Sequence, residues 1–288
     1  MPTLPQRVSV PMFAARKAKR LPLVVVTAYD APQGRLADAA GVDAILVGDS
    51  VGMTTLGYDS TLPVTLDDML LHTRAVARGQ AALPIGEKPS EASVVRGAHH
   101  ALLIADLPFG SYGASVEDGV RAGMRLIAHG GAQAVKLEGA GPLMRETTRR
   151  LVDVGVPVMG HLGMTPQSLH RFGGFKVQGK SDTAADALFA DAHAMAEAGM
   201  FAVVLEVIPA ALAQRVTDAL PIPTIGIGAG AGCDGQVQVL HDLLGFDEGA
   251  PYKHTRRYAN IGATIQAAIA AYAADVRACR FPTSDNAF

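Results

Sequence analysis

Short apolar runs alternate along the chain with longer segments whose apolar positions recur at helical spacing. The runs are LVVVTAYD (23–30), ILVGDS (45–50), LLIADLP (102–108), AVKLEG (134–139), VPVMGHLG (156–163), AVVLEVIP (202–209) and PTIGIGAG (223–230), with VQVLHDLLG (237–245) as a weaker eighth. Continuous apolar runs of this kind are the pattern of parallel strands buried on both faces. Between them, helical spacing covers stretches such as Ala31–Ala40, Leu66–Ala77, Val116–Ala128 and Thr183–Ala198, with Gly41, Gly79, Gly130 and Gly199 at or just beyond their ends. Eight such units predict an α/β fold, a (β/α)8 TIM barrel, with a doubly wound open sheet as the alternative. The whole chain, 1–288, reads as one barrel domain with an N-terminal helical extension and a C-terminal helix. That last helix, in IGATIQAAIAAYAADVRA after Asn260, has few charges and is expected to pack on the barrel or on a neighbouring subunit. The rhythm breaks at 80–100, where Pro, Gly and charge are mixed, so a long surface connection with a structural or assembly role is expected there.

Composition narrows the function. With 288 residues, 49% of them apolar, the chain has enough material for one large core. A formal charge of −2 provides no broad basic field, which argues against nucleic acid or an anionic membrane as the main partner. The basic residues Arg16, Lys17, Lys19 and Arg20 read as the solvated face of a first helix. Two distant cysteines, Cys233 and Cys279, make neither a disulfide framework nor a zinc signature. The start MPTLPQRVSV has no secretory apolar region, and no apolar stretch approaches bilayer-spanning length, so a cytoplasmic protein is expected.

Nearly every run ends in a chemically capable residue, and in α/β folds ligands sit beyond the carboxyl ends of the strands. Lys136 and Glu138 are two apart, so both can face the barrel interior; they either neutralise each other or serve a ligand. Asp49, Asp106 and Glu138 end three different strands, with Glu206 as a fourth acid. Each alone reads equally as a helix cap. Together they would repel one another unless a hard divalent cation lay among them, and oxygen donors favour Mg²⁺. His161 reads either as a structural histidine or as a hydrogen-bond donor to substrate, with Gly160 and Gly163 letting substrate approach the backbone. The glycine run GIGAGAG (226–232) fits a phosphate loop or simple tight turning at the barrel top. Cys233 has no activating partner in the sequence and reads as an inert thiol.

The motifs TAYD (27–30), VGDSVGMTTLGYDSTLPVTLDDM (47–69), ADLPFGSY (105–112), AVKLEG (134–139), GHLGMTPQS (160–168), GGFKVQGK (173–180), LEVIP (205–209) and GIGAGAGCDGQVQVLHDLLG (226–245) resemble, in order, those of the ketopantoate hydroxymethyltransferase family. The resemblance implies a barrel of the phosphoenolpyruvate/pyruvate superfamily. It also implies a step of pantothenate biosynthesis, in which 3-methyl-2-oxobutanoate is deprotonated at C3 and attacks the one-carbon unit of 5,10-methylenetetrahydrofolate, giving 2-dehydropantoate. By the same resemblance, Asp49, Asp106 and Glu138 hold Mg²⁺, and Asp49, Ser50, Asp106, Lys136 and His161 bind substrate. Glu206 is the general base, a role that calls for a pKa lifted by a partly apolar pocket. A homodecamer, a pentamer of dimers, is implied as well. Two segments depart from the family pattern: the 80–100 connection is longer, and Lys253–Arg257 is more basic. The competing readings are a carbon–carbon lyase or phosphomutase of the same superfamily and a non-catalytic 2-oxo acid sensor. Such lyases generally carry a catalytic cysteine in a Lys/Gly/Cys/His loop, which this sequence lacks, and a sensor has no need of a base aimed at C3.

Overall fold

The computed structural model describes residues 7–81, 100–247, 249 and 252–288. They belong to two compact units, Met1–Gln238 and Val239–Phe288. In the first unit, eight strands form a closed, all-parallel barrel in sequence order: β1 Leu23–Thr27, β2 Ala44–Val47, β3 Leu102–Asp106, β4 Ala134–Glu138, β5 Val158–Gly163, β6 Ala202–Glu206, β7 Thr224–Ile227 and β8 Gly235–Gln238. The barrel closes where β1 pairs with β8, Leu23 opposite Gly235. The closed barrel is therefore the architecture, and the open sheet is not. Its helices are α1 Val10–Ala18, α2 Ala31–Ala39, α3 Val51–Thr54, α4 Leu66–Ala81, α5 Val116–Arg125, α6 Pro142–Asp153, α7 Leu169–Phe172, α8 Asp182–Glu197 and α9 Ala210–Ala219.

Alternation along the strands builds the core. Leu23 and Val25, Ala44 and Leu46, Leu102 and Ile104, Ala134, Met159, Ala202 and Val204, Ile225 and Val237 pack as one buried cluster filling the barrel. Helix α1 closes the N-terminal end. Phe13 is fully buried and meets Phe201 edge-on, with ring centroids 5.4 Å apart. Arg16 pairs with Asp43 just before β2, and Lys17 bonds Asp234 just before β8 at 2.8 Å and the Thr217 carbonyl at 2.7 Å. Two of the four basic residues read as a solvated face are thus the polar fasteners of the barrel floor.

Three other expectations change. The eighth strand is Gly235–Gln238, whereas LHDLL in the predicted strand is helical. The glycine run is a crossover, 228–234, that joins β7 to β8 without a helix. It is glycine-rich because it presses on α9: a Cβ at Gly230 would stand 2.6 Å from that of Ala210, and one at Gly232 would strike the Gln214 side chain. Gly160 and Gly163 also answer to packing. A Cβ on Gly160 would collide with the Met200 sulfur, and one on Gly163, whose φ is +94°, with the Glu206 carbonyl. The connection expected at 80–100 falls almost wholly on 82–99, outside the described residues.

The second unit contains α10 Leu240–Leu244 and α11 Ile261–Arg277. Within it, the Tyr258 amide bonds the Leu243 carbonyl and that of Gly262 the Gly245 carbonyl. Helix α11 buries none of its residues, and Ile265, Ile269, Tyr272 and Val276 are exposed. Among the described residues no helix is long and apolar enough to cross a membrane.

Candidate active site

The alternation that packs the barrel continues toward its C-terminal mouth and changes character there. Above Leu102 and Ile104 the next inward position is Asp106; above Ala134 come Lys136 and Glu138; above Met159 comes His161; above Ala202 and Val204 comes Glu206. Strand register then makes neighbours of these side chains, with Asp106 opposite Lys136 and Glu138 opposite His161. Asp49 and Ser50 follow β2. Gly48 leaves them room, since a Cβ there would lie 2.8 Å from the Ser50 hydroxyl and 3.5 Å from Asp106 Oδ2. Asp49, Asp106, Lys136, Glu138 and His161 are all buried, and Glu206 is partly so.

The resulting network is continuous. Lys136 Nζ lies 2.9 Å from Asp106 Oδ1, and the Asp49 amide donates to Asp106 Oδ2 at 3.1 Å. His161 spans two acids, with Nδ1 3.2 Å from Glu138 Oε1 and Nε2 3.1 Å from Glu206 Oε2. Lys136 therefore pairs across the strands with Asp106, and Glu138 with His161; the two do not simply cancel each other. Tyr29 OH and Ser50 Oγ are 2.8 Å apart. Gln167, in the turn Pro166–Ser168 after β5, donates Nε2 to Asp49 Oδ2 at 2.8 Å and its backbone amide to Glu138 Oε2 at 3.0 Å. Neither Gln167 nor its partner Tyr112 is singled out by sequence reasoning, although both lie inside recognisable motifs.

Among the described residues, four carboxylates face two cationic side chains, and the ionisation of Asp49, Asp106, Glu138, Lys136 and His161 departs from the ordinary range. Burial, then repulsion from Asp106 and Glu138, holds the Asp49 carboxyl well above the usual carboxylate range. Burial likewise raises Asp106, in part against the pull of Lys136. Glu138 moves down in spite of burial, because His161 and Lys136 stabilise its charged form. Burial and the nearby Lys136 ammonium oppose a charged imidazole, yet Glu138 and Glu206 outweigh them and lift His161 to about 9. Lys136 is raised as well: desolvation is outweighed by Asp106, Glu138 and Asp49. Burial pushes the Tyr29 phenol up to about 12 and also raises the Cys233 thiol, in keeping with an inert sulfur.

Among the described residues, no group of three or more His, Cys, Asp or Glu side chains is spaced to enclose a metal ion. The donors nonetheless suit a hard cation of the Mg²⁺ kind, which needs one or two carboxylates and takes its remaining oxygens from substrate and water. Asp49 and Asp106 are buried carboxylates joined through the Asp49 amide, and the raised Asp49 carboxyl registers a surplus of negative charge that a cation would relieve.

A closed parallel barrel with acids, a lysine and a histidine at the carboxyl ends of its strands defines the class: a (β/α)8 barrel with a charged site at its mouth. A crystal structure of phosphonopyruvate hydrolase in complex with oxalate and Mg²⁺ shares this fold, with TM-score 0.57 and 13% identity over 96% of this chain and 92% of that one. The sequence profile of ketopantoate hydroxymethyltransferase matches residues 7–90 and 88–284, and the chain belongs to that family. Among its relatives, the 3-methyl-2-oxobutanoate hydroxymethyltransferase of Moorella thermoacetica is 51% identical over 283 residues, 98% of each chain. The enzyme of the same name from Deinococcus radiodurans is 52% identical over 267 residues, 93% of this chain and 88% of that one.

Proposed function

We propose that the protein transfers a hydroxymethyl group from 5,10-methylenetetrahydrofolate to 3-methyl-2-oxobutanoate, giving 2-dehydropantoate and tetrahydrofolate in the route to pantothenate. The observation that carries this reading is the line Asp106–Lys136 beside Glu138–His161–Glu206 in a member of this family; we read its first part as the cation-binding end and its last as the base end. Lys136 and Ser50 bind the 2-oxo acid carboxylate, the first by charge and the second by its hydroxyl, which Tyr29 orients. Asp49 and Asp106, with Glu138 beside them, would hold Mg²⁺. When bound, the cation supplies Lewis-acid stabilisation of negative charge at the substrate's oxo oxygen.

Glu206 removes the C3 proton. Its carboxylate lies against His161 Nε2, not in a purely apolar pocket, so the imidazole orients the base by hydrogen bonding. The methylene carbon is held by two folate nitrogens: one carbon–nitrogen bond breaks as C3 bonds to that carbon, the other breaks as water supplies the hydroxyl, and the protons from C3 and from the water pass to the two nitrogens of tetrahydrofolate. The exposed apolar side chains of α11 support assembly with further copies of the chain, consistent with a homodecamer.

Proton NMR of 3-methyl-2-oxobutanoate in D₂O with protein and Mg²⁺ tests the reading. Loss of the C3 proton signal without folate, followed by a hydroxymethyl resonance once 5,10-methylenetetrahydrofolate is added, is the expected result. The absence of both changes in folded, metal-supplied protein would refute the proposal.

A further inference from the structure

We infer that Gln167, locked by Tyr112, is a positioning residue that fixes Asp49 and Glu138 relative to each other and so joins the cation-binding end of the site to the base end. The inference rests on the function proposed above. Gln167 uses its backbone amide and both ends of its side-chain amide. Nε2 donates to Asp49 Oδ2 at 2.8 Å and to the Leu107 carbonyl at 3.0 Å; Oε1 accepts from Tyr112 OH at 2.6 Å; the backbone amide donates to Glu138 Oε2 at 3.0 Å. One residue from the turn after β5 thereby ties together groups from the ends of β2, β3 and β4.

The orientation of the amide follows from its partners. Tyr112 OH accepts the Glu138 amide at 3.1 Å, so its own proton goes to Gln167 Oε1, and Nε2 is left to face the Leu107 carbonyl, which can only accept, and Asp49 Oδ2. Tyr112 is buried, which makes each of these bonds costly to leave unmade. The chemistry also explains why an amide stands here. Asp49 and Glu138 repel each other, and a lysine or arginine side chain here would hold Asp49 but cancel the charge intended for a cation. A neutral amide holds Asp49 without that loss, while the backbone amide of the same residue holds Glu138. Through Glu138 the chain of contacts continues to His161 and Glu206, so a shift of Gln167 displaces both ends of the site together.

The test is the rate of C3 proton exchange for Gln167→Glu and Tyr112→Phe in the full-length protein with Mg²⁺ and 3-methyl-2-oxobutanoate. At about pH 8 Gln167→Glu should lose about 30-fold in turnover, within the range seen when groups supporting a ligand shell are removed. By about pH 6 the deficit relative to the parent should shrink to about 3-fold, because a protonated carboxyl again offers one donor to Asp49 and one acceptor to Tyr112. Without metal, its melting temperature should fall further below the parent's as pH rises over the same interval, as a second carboxylate ionises beside Asp49. Tyr112→Phe, which removes a single oxygen, should lose about 10-fold in turnover with KM for the oxo acid within about 2-fold of the parent. A Gln167→Glu deficit that is the same at every pH, or Tyr112→Phe turning over at the parent rate, would overturn the inference. A parent protein that itself fails to exchange the proton would instead remove the proposed function, and this inference with it.

Discussion

The two ends of the barrel share one alternation of side chains but not one balance of charge. At the floor, Arg16 meets Asp43 and Lys17 meets Asp234, a cation for each anion, around the buried ring of Phe13. At the mouth, among the described residues, Asp49, Asp106, Glu138 and Glu206 face the cations Lys136 and His161, two for four acids. A matched pair at the floor costs little to keep and closes the barrel. Unmatched acids at the mouth cost stability and are retained where a ligand completes the balance. Changes at the mouth should therefore alter chemistry more than folding, and changes at the floor the reverse.

The largest separation of the two ends is expected from Glu206→Gln. Removing a general base typically costs about 10²- to 10⁴-fold, so C3 exchange should fall by that order while the melting temperature stays near the parent's. Exchange at the parent rate would show that another group takes the proton. Phe13→Ala is the converse change: emptying a fully buried aromatic site should cost about 3–5 kcal/mol in denaturant unfolding, with turnover of the remaining folded protein unchanged. A drop in turnover as large as that of Glu206→Gln would mean the floor is coupled to the mouth.

That division was legible in the sequence at the mouth and far less so at the floor. Asp106, Lys136, Glu138 and Glu206 continue the strand alternation, so their meeting follows from period two and the barrel. The pairing of Lys17 with Asp234 joins residues 217 positions apart and rests on where α1 docks, which no local pattern encodes. LHDLL reads as a strand because a short apolar run has no length with which to show helical period. Gln167 is silent in sequence for another reason: a neutral residue in a short turn has neither periodicity nor charge, and its role emerges only when three strand ends converge on it. The glycines of the 226–232 run and of β5 were visible, but their cause was not, because the atoms that exclude a side chain belong to α9, Met200 and the Glu206 backbone.

Acidity sharpens the comparison further. His161 rises from 6.5 to about 9 in the fold, so it binds its proton more tightly folded than unfolded. Its contribution to stability is then complete below about pH 6.5 and is lost as pH climbs through about 9. Asp49 and Asp106, also raised, act in the same sense, since each favours the fold only while protonated. Glu138 is lowered, and its contribution is instead lost as pH falls through the acid range. The melting temperature of the metal-free protein should accordingly decline between about pH 6.5 and 9, and His161→Gln should flatten the decline. An unchanged slope in that variant would assign the effect to other groups.

The smallest effect belongs to one fastener of the floor. Arg16 is 31% exposed in its pair with Asp43, so water screens part of the attraction, and Asp43 keeps a second donor in the Val24 amide at 2.8 Å. Arg16→Gln should cost no more than about 1 kcal/mol in denaturant unfolding and leave C3 exchange untouched. The same loss of one charge at Lys136, buried against Asp106, would strand a carboxylate with the other acids around it and should abolish substrate binding. If Arg16→Gln proved as damaging to exchange as a change at Lys136, the floor would be part of the catalytic apparatus, and the contrast between the two ends would be one of position only.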